Sequence, residues 1–384
     1  MKVKSTLCAI IVLLACLFCG AASAADTIKI GVLAPITGFA ASDGFSTIES
    51  IKLAQEKVNA AGGVLGKQIE VVYYDDAADP KQAVPLANKL ITQDKVVAFV
   101  AGSYSMPSRA VAPIFDEEEI PLVAAYALHP EITNGDYTFR NGFLGTTEGR
   151  VAAYTALELF KAKTVALVTS DNDFGQTLKD GFVGYLKSVG REKDLILQQT
   201  YPSSEKDFAV YLSKIKDAAP DVVFFSGYYF QTAPALKQAK EMGIENIRFI
   251  GEQGSDSPKM AEIALDAAEG FVILTNLDRD DKRPFVQEFL KSYRDRHNIE
   301  PDMVGASAYD AFMIIVDAIK TAGGTDGKAI RDAIAATKNY DGLTGVINGF
   351  DAAGEVLKPV QLQEIKEGKF RYFGIVTDSE LIKP

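Results

Sequence analysis

The chain has no tryptophan, only two histidines and only three cysteines among its 384 residues. All three cysteines, Cys8, Cys16 and Cys19, fall within the first twenty positions. Everything downstream therefore folds without a disulfide and offers no thiolate for catalysis or metal binding. His129 and His297 stand far apart with no HExxH pairing, which removes the usual zinc-hydrolase arrangements. Basic residues are also scarce, 40 Lys and Arg against 51 Asp and Glu, for a formal charge of -11. Such an acidic chain is a poor partner for nucleic acid or anionic lipid. No apolar run after the N-terminus is long enough to span a bilayer.

What is present begins with a leader. Lys2 and Lys4 precede an apolar run from Leu7 to Phe18, and Ala22-Ser23-Ala24 supplies an A-x-A pattern. Residues 1–24 read as a cleavable signal peptide, which predicts an exported, periplasmic protein. Acylation at Cys16 or Cys19 is the alternative, although Leu14, before Cys16, is bulky for a lipoprotein motif.

After Asp26 short β-rich runs alternate with helical segments. Residues 27–33, 68–74, 96–101 and 121–125 read as one series of strands. A second series follows at 164–169, 195–200, 221–226, 247–251 and 270–275. Helices at 284–296, 303–321 and 328–336, then short strands near 344–347, 360–365 and 370–376, close the chain. Strands separated by helices at this spacing predict an α/β protein of two Rossmann-like lobes, each around a parallel central sheet. The stretch from Gly63 to Lys67 has neither the spacing nor the hydroxyl residue of a phosphate loop and reads as a helix-to-strand turn. Asp79 reads as a helix cap, and Asp75 and Asp76 as a solvated strand end and not a metal cluster.

One segment stands out. In FVAGSYSMPSRAVAPIF a buried strand stops at Ala101 and a helix is expected from about Pro107, with Ser103, Tyr104, Ser105 and Met106 between them. Similar groups recur at other strand ends: Ala124 to Tyr126, Asp171 to Phe174, Ser226 to Tyr229, and Glu252-Gln253. In open parallel sheets ligands bind beyond the carboxyl ends of strands, where helix N-termini offer free N–H groups and partial positive charge. That setting suits a small organic anion. Simple helix capping is the competing explanation of Ser105.

Four further segments carry a family likeness: IKIGVLAPITG, NAAGGVLGKQIEVVYYDDAADPKQAVPLANKL, YPSSEKDFAVYLSKIK and FFSGYYFQTAPALKQAKEMGI. Taken in order, the chain resembles the type I periplasmic solute-binding proteins of ABC importers, in particular the leucine/isoleucine/valine-binding branch. The resemblance implies a three-segment hinge between the lobes, with ligand held in the cleft and closure by hinge bending. It places lobe 1 at 26–142 plus 277–346 and lobe 2 at 143–276 plus 347–384. It puts the carboxylate-binding serine at Ser105, backbone groups at Tyr126, Ala127 and Leu128, and aromatic contacts at Phe174 and Tyr228.

The departures from the branch are informative. Gln253 stands where its amino-acid binders place an acid for the ligand ammonium, with Glu252 one position early. Leu128 replaces a hydroxyl residue, Asp43 an aromatic lid and Ala306 a bulky aromatic, while Ala78 and Tyr104 occupy the places of a disulfide. Either Glu252 shifts into the ammonium-binding role, or the ligand is a carboxylate without an α-amino group. Tyr104, Met106, Tyr126, Leu128, Tyr228 and Tyr229 are then expected to line an apolar, aromatic-friendly cavity.

The expected function is an extracytoplasmic receptor that hands an amino acid or related small carboxylate to an importer permease. No catalysis, cofactor, metal or nucleic acid is expected, and the protein is expected to be a monomer. A sensory ligand-binding protein is the alternative of a different class, and an enzyme is a third, weaker one.

Overall fold

The computed structural model describes residues 27–384. The signal peptide and the acylation alternative at Cys16 or Cys19 lie outside the described residues. The first sheet is wholly parallel, in the order β2-β1-β3-β4-β5: β1 (Ile28–Ala34), β2 (Ile69–Asp75), β3 (Ala98–Ala101), β4 (Leu122–Ala124) and β5 (Thr138–Arg140). Its long helices are α1 (Ala41–Ala60), α2 (Pro80–Lys89) and α3 (Ser105–Glu117). β3 is buried at every position, as a central strand covered on both faces must be.

The chain then crosses to a second sheet through residues 141–144. Helix α4 (Gly145–Tyr154) leads to β6 (Val165–Ser170), α5 (Asp173–Ser188), β7 (Leu195–Tyr201), α6 (Ala209–Ala218) and β8 (Val222–Ser226). Next come α7 (Tyr229–Glu241), β9 (Arg248–Gly251), the short α8 (Pro258–Ala264) and β10 (Val272–Thr275). A second crossing, 276–283, returns the chain to the first lobe. There α9 (Pro284–His297), α10 (Met303–Ala322) and α11 (Gly327–Ala335) pack, α10 lying against α1.

Two small hairpins follow, β11 (Tyr340–Gly342) with β12 (Gly345–Ile347), and β13 (Gly349–Phe350) with β14 (Val356–Leu357). Phe350 and Val356 belong to the first-lobe core, and the Phe350 ring meets Phe139 edge-on at 5.4 Å. Residues 349–357, beyond 346, thus pack with the first-lobe core, and the second sheet is joined from Val360. Apolar packing of the second hairpin holds those extra residues on the first lobe.

The second sheet is not parallel throughout. Its order is β16-β15-β10-β9-β8-β6-β7, and β15 (Val360–Lys366) runs antiparallel to β10 while β16 (Lys369–Val376) turns back on β15. Glu367 and Gly368 both adopt positive φ (50° and 70°), the two-residue turn that suits a twisted hairpin. The terminal helix α12 (Ser379–Ile382) packs on α4.

Charged and amide side chains are buried where the chain crosses. Arg140, Asn141, Asn276 and Lys358 are all fully covered. Asn141 Nδ2 donates to the Ser307 carbonyl at 3.0 Å, and Lys358 Nζ donates to Thr344 Oγ1 at 2.9 Å. Burial pushes the Lys358 amine down to about 7, against the attraction of Asp310 and Glu148.

Candidate functional site

The α3 helix begins at Ser105, two residues before Pro107. Its N-cap is Tyr104, whose side chain makes no capping bond. Ser105 therefore is not the cap. Its Oγ instead accepts the Leu128 N–H at 3.2 Å, joining the start of α3 to the loop after β4. The serine hydroxyl proton and the uncapped helix start lie together as a candidate anion seat, of the kind a helix N-terminus provides.

That loop is held from behind by a buried cation. The Arg140 guanidinium, on the last residue of β5, donates to the carbonyls of Ala127 and His129 (the latter at 2.6 Å) and pairs through Nε with Glu355 at 2.8 Å. Tyr126 is fixed in turn by its hydroxyl, which donates to the Gly102 carbonyl at 2.8 Å. The seat is thus built on a rigid frame.

Across the cleft the second lobe presents ring faces. Tyr228 stacks on Tyr104 (centroids 4.6 Å, planes 12° apart) and on Phe174 (4.6 Å, 18°). Tyr228 occupies the N-cap of α7, where its N–H donates to Gln231 Oε1 at 3.3 Å. Further links close the cleft. Gln253 Nε2 donates to the Tyr126 carbonyl at 2.8 Å, Arg109 pairs with Asp173 at 2.8 Å, and Phe39 meets Phe230 edge-on at 5.6 Å.

Tyr104, Ser105, Tyr126, Ala127, Leu128, Phe174, Tyr228 and Gln253 all line one small inner cavity of about 20 Å³. It has room for about one water, because the stacked rings fill the space between the lobes. Met106 does not line it. One residue on from Ser105, it turns away and is 49% exposed, lining a wider cavity of about 760 Å³ at the cleft mouth. Tyr229 turns its ring into the second-lobe core and lines neither cavity.

The inner wall also holds residues that sequence reading missed as ligand contacts: Asp43, Gly254, Asp256, Met303 and Val304. Asp43 is buried, and its Oδ2 accepts the Tyr104 hydroxyl at 2.6 Å. Burial, with Asp302 nearby, pushes its carboxyl up to about 7, while the tyrosine hydrogen bond opposes the shift. Glu252, the alternative acid, is turned toward the backbone. Its carboxylate accepts the N–H groups of Gly254 at 2.6 Å and Gly227 at 3.2 Å and stays outside the cavity wall. Burial pushes it up to about 8. A Cβ at Gly254 would meet that carboxylate and the Tyr228 ring at 3.1–3.2 Å, so any side chain there would press on both.

Other sequence candidates fall away from the cleft. Asp79 caps α2 by accepting the Lys81 N–H at 2.9 Å. Asp76 is not a solvated strand end. It is fully buried, accepting Ala78 N–H at 2.9 Å and the Ser103 hydroxyl at 3.0 Å, and burial raises its carboxyl to about 6.

Comparison with known proteins accords with this geometry. A family model described as periplasmic binding protein matches residues 27–369. The chain belongs to that family. It is a solute-binding protein and not an enzyme. The leucine-, isoleucine-, valine-, threonine- and alanine-binding protein of Pseudomonas aeruginosa is 32% identical over 343 residues, covering 88% of this chain and 90% of that one. A branched-chain amino acid transporter substrate-binding protein of Streptococcus pneumoniae, solved in complex with isoleucine, superposes with TM-score 0.84. It is 28% identical and covers 91% of this chain and 99% of its own. A solute-binding protein of an ABC transporter from Rhodopseudomonas palustris, solved with 3,4-dihydroxybenzoic acid, gives TM-score 0.83 at 27% identity, covering 91% and 97%. Among the described residues no helix is long and apolar enough to cross a membrane.

Proposed function

We propose that this solute-binding protein receives a small carboxylate in the interlobe cleft and delivers it to an importer permease. The observation that carries the reading is the uncapped α3 start, with Ser105 Oγ joined to the Leu128 N–H, facing the stacked rings of Tyr228 and Phe174. The carboxylate sits on the first lobe, and the body of the ligand displaces the direct Tyr104–Tyr228 contact, whose 4.6 Å centroid spacing leaves no room for a ring between them. Ligand that touches both lobes only when they are closed shifts the population toward the closed form, which the permease then reads. The rigid bodies are lobe 1 (26–142 with 277–346, extended by the second hairpin) and lobe 2 (143–276 with the strands after Lys358). The protein works as a monomer in the periplasm after removal of residues 1–24.

The parallel ring planes favour a ligand with a flat body, which is also what the Rhodopseudomonas palustris neighbour holds. The amide at Gln253 supplies no charge to match a desolvated α-ammonium, which favours a carboxylate lacking that group. A branched-chain amino acid is the second reading, supported by the Pseudomonas aeruginosa relative and by Gln253 Oε1, a buried acceptor able to take one ammonium N–H. Thermal shift and calorimetry with amino acids, branched keto acids and aromatic acids test both. Tight binding raises the melting temperature. No response to any small carboxylate contradicts the reading.

A further inference from the structure

Behind the stacked rings the inner cavity ends on acid. Asp43, near the start of α1, and Asp256, in the turn after β9, both line it, and Asp302, the N-cap of α10, lies close behind. These carboxylates differ in what neutralises them. Asp256 is held by the Arg279 guanidinium and accepts the Thr275 hydroxyl at 2.5 Å. Asp302 accepts Ser46 Oγ at 2.5 Å and Gly305 N–H at 2.9 Å, and it also feels Arg279. Asp43 has the Tyr104 hydroxyl on one oxygen, and the charges acting on it, Asp302 and Asp256, carry its own sign.

A second acceptor belongs to a residue of the same cavity wall. Gln253, only 2% exposed, spends its Nε2 on the Tyr126 carbonyl and leaves Oε1 without a partner. A buried carbonyl oxygen with no donor and a buried carboxylate with no cation are both costly until something brings N–H or O–H groups to them. The Tyr104 side chain measures where that something sits. Its backbone adjoins Ser105 at the anion seat, and its hydroxyl touches Asp43. Asp43 therefore lies about one tyrosine length from the seat.

We propose that Asp43 determines specificity by accepting a hydrogen bond from the far end of the ligand, an inference that rests on the small-carboxylate reading above. The ligand is then a carboxylate carrying a donor, a ring hydroxyl or a distal ammonium, about a tyrosine's length from its acid group. An α-ammonium lies too near the carboxylate to serve. Both polar ends are read by the first lobe, and the second lobe contributes ring faces and the Gln253 oxygen.

Calorimetric titration of the full chain with two matched pairs tests this: benzoate against 4-hydroxybenzoate, and pentanoate against 5-aminopentanoate. The donor-bearing member of at least one pair binds about tenfold or more tightly, the scale of a hydrogen bond to a charged group. An advantage in the first pair alone identifies a hydroxyl, and in the second alone an ammonium. Asp43→Asn, which retains an acceptor for Tyr104, collapses that ratio to about twofold or less on the same scale. Tyr104→Phe, which frees the second Asp43 oxygen, enlarges it. Equal binding within both pairs, or an advantage that survives Asp43→Asn, overturns the assignment while leaving the receptor reading intact. Absence of binding by all four acids and by leucine removes the small-carboxylate reading itself, and the assignment of Asp43 with it.

Discussion

The two walls of the cleft are made of different materials. The first lobe presents directional polar groups: the Ser105 hydroxyl, the Leu128 N–H, the open start of α3 and the Asp43 carboxylate. The second lobe presents mostly ring faces, with Tyr228 stacked between Tyr104 and Phe174, plus one amide that reaches back to Tyr126. Hydrogen bonds fix position and orientation, whereas stacking tolerates sliding and gains most from excluding water. The difference implies an order of events. Ligand docks on the first lobe, where the geometry is set by Arg140 behind the loop, and the second lobe then closes over its face.

The largest way to break this asymmetry is Ser105→Ala. Removing the hydroxyl should weaken a carboxylate ligand by about 1.5–3 kcal/mol, the range for hydrogen bonds to charged groups. Calorimetry against the wild type reads the loss directly, and unchanged affinity would mean that the anion sits elsewhere. A smaller effect comes from the other wall. Tyr228→Ala removes one ring face from the cleft and should cost about 0.5–1.5 kcal/mol of affinity, the range for a single aromatic pair. It should lower the affinity of aromatic acids more than that of aliphatic ones, and an equal loss for both would show that the ring faces do not touch the ligand body.

Gln253→Leu sharpens the comparison by cutting the hydrogen bond from the Gln253 side-chain amide of the second lobe to the Tyr126 carbonyl in the loop of the first. About 0.5–1.5 kcal/mol of closed-state stability is lost. Small-angle scattering should then show a more open average shape without ligand, and an unaltered profile would count against a role in closure.

The smallest expected effect is on the fold, through pH. Burial raises the carboxyls of Asp43 to about 7, Asp76 and Asp302 to about 6 and Glu252 to about 8. A carboxyl with a raised folded pKa holds its proton more tightly in the native state. Its contribution is complete below the unfolded value near 4 and is lost as pH rises through the folded value. The buried Lys358 amine works the other way only above its folded value of about 7. Without ligand the melting temperature should therefore fall by a few degrees between about pH 5 and pH 7.5, the interval bounded by the unfolded carboxylate range and these raised values. A rise across that interval would contradict the burial of these groups.

Much of this architecture was legible in the sequence because its signals were local. Val96–Ala101 reads as a covered strand, of which the structure forms Ala98–Ala101, Asp79-Pro80 opens a helix, and the hydroxyl and aromatic groups after β3, β4 and β8 line the cleft cavities. Direction was harder to read. Nothing local in Val360–Lys366 says that it runs antiparallel to β10, since that depends on the chain arriving from the other lobe. Buried charge was also hidden. Arg140, Lys358 and Asp76 look like surface residues by type, and only tertiary neighbours explain them. Met106 lines the wider cavity, with Tyr104, Ser105, Phe174 and Tyr228, and not the inner one, because the helix starts two residues earlier than Pro107 and a helical step turns successive side chains to different faces. Asp43 was noticed only as a missing aromatic. The one available cue was an acid in an otherwise small and apolar loop, Gly38 to Gly44.

Hydrogen exchange followed by mass spectrometry, with and without the tightest-binding carboxylate of the panel, tests the central claim most directly. The account predicts ligand-induced protection on both walls at once, in residues 103–108 and 126–129 of the first lobe and 174–178, 228–232 and 252–255 of the second. Protection confined to one lobe, or falling outside the cleft, would contradict it.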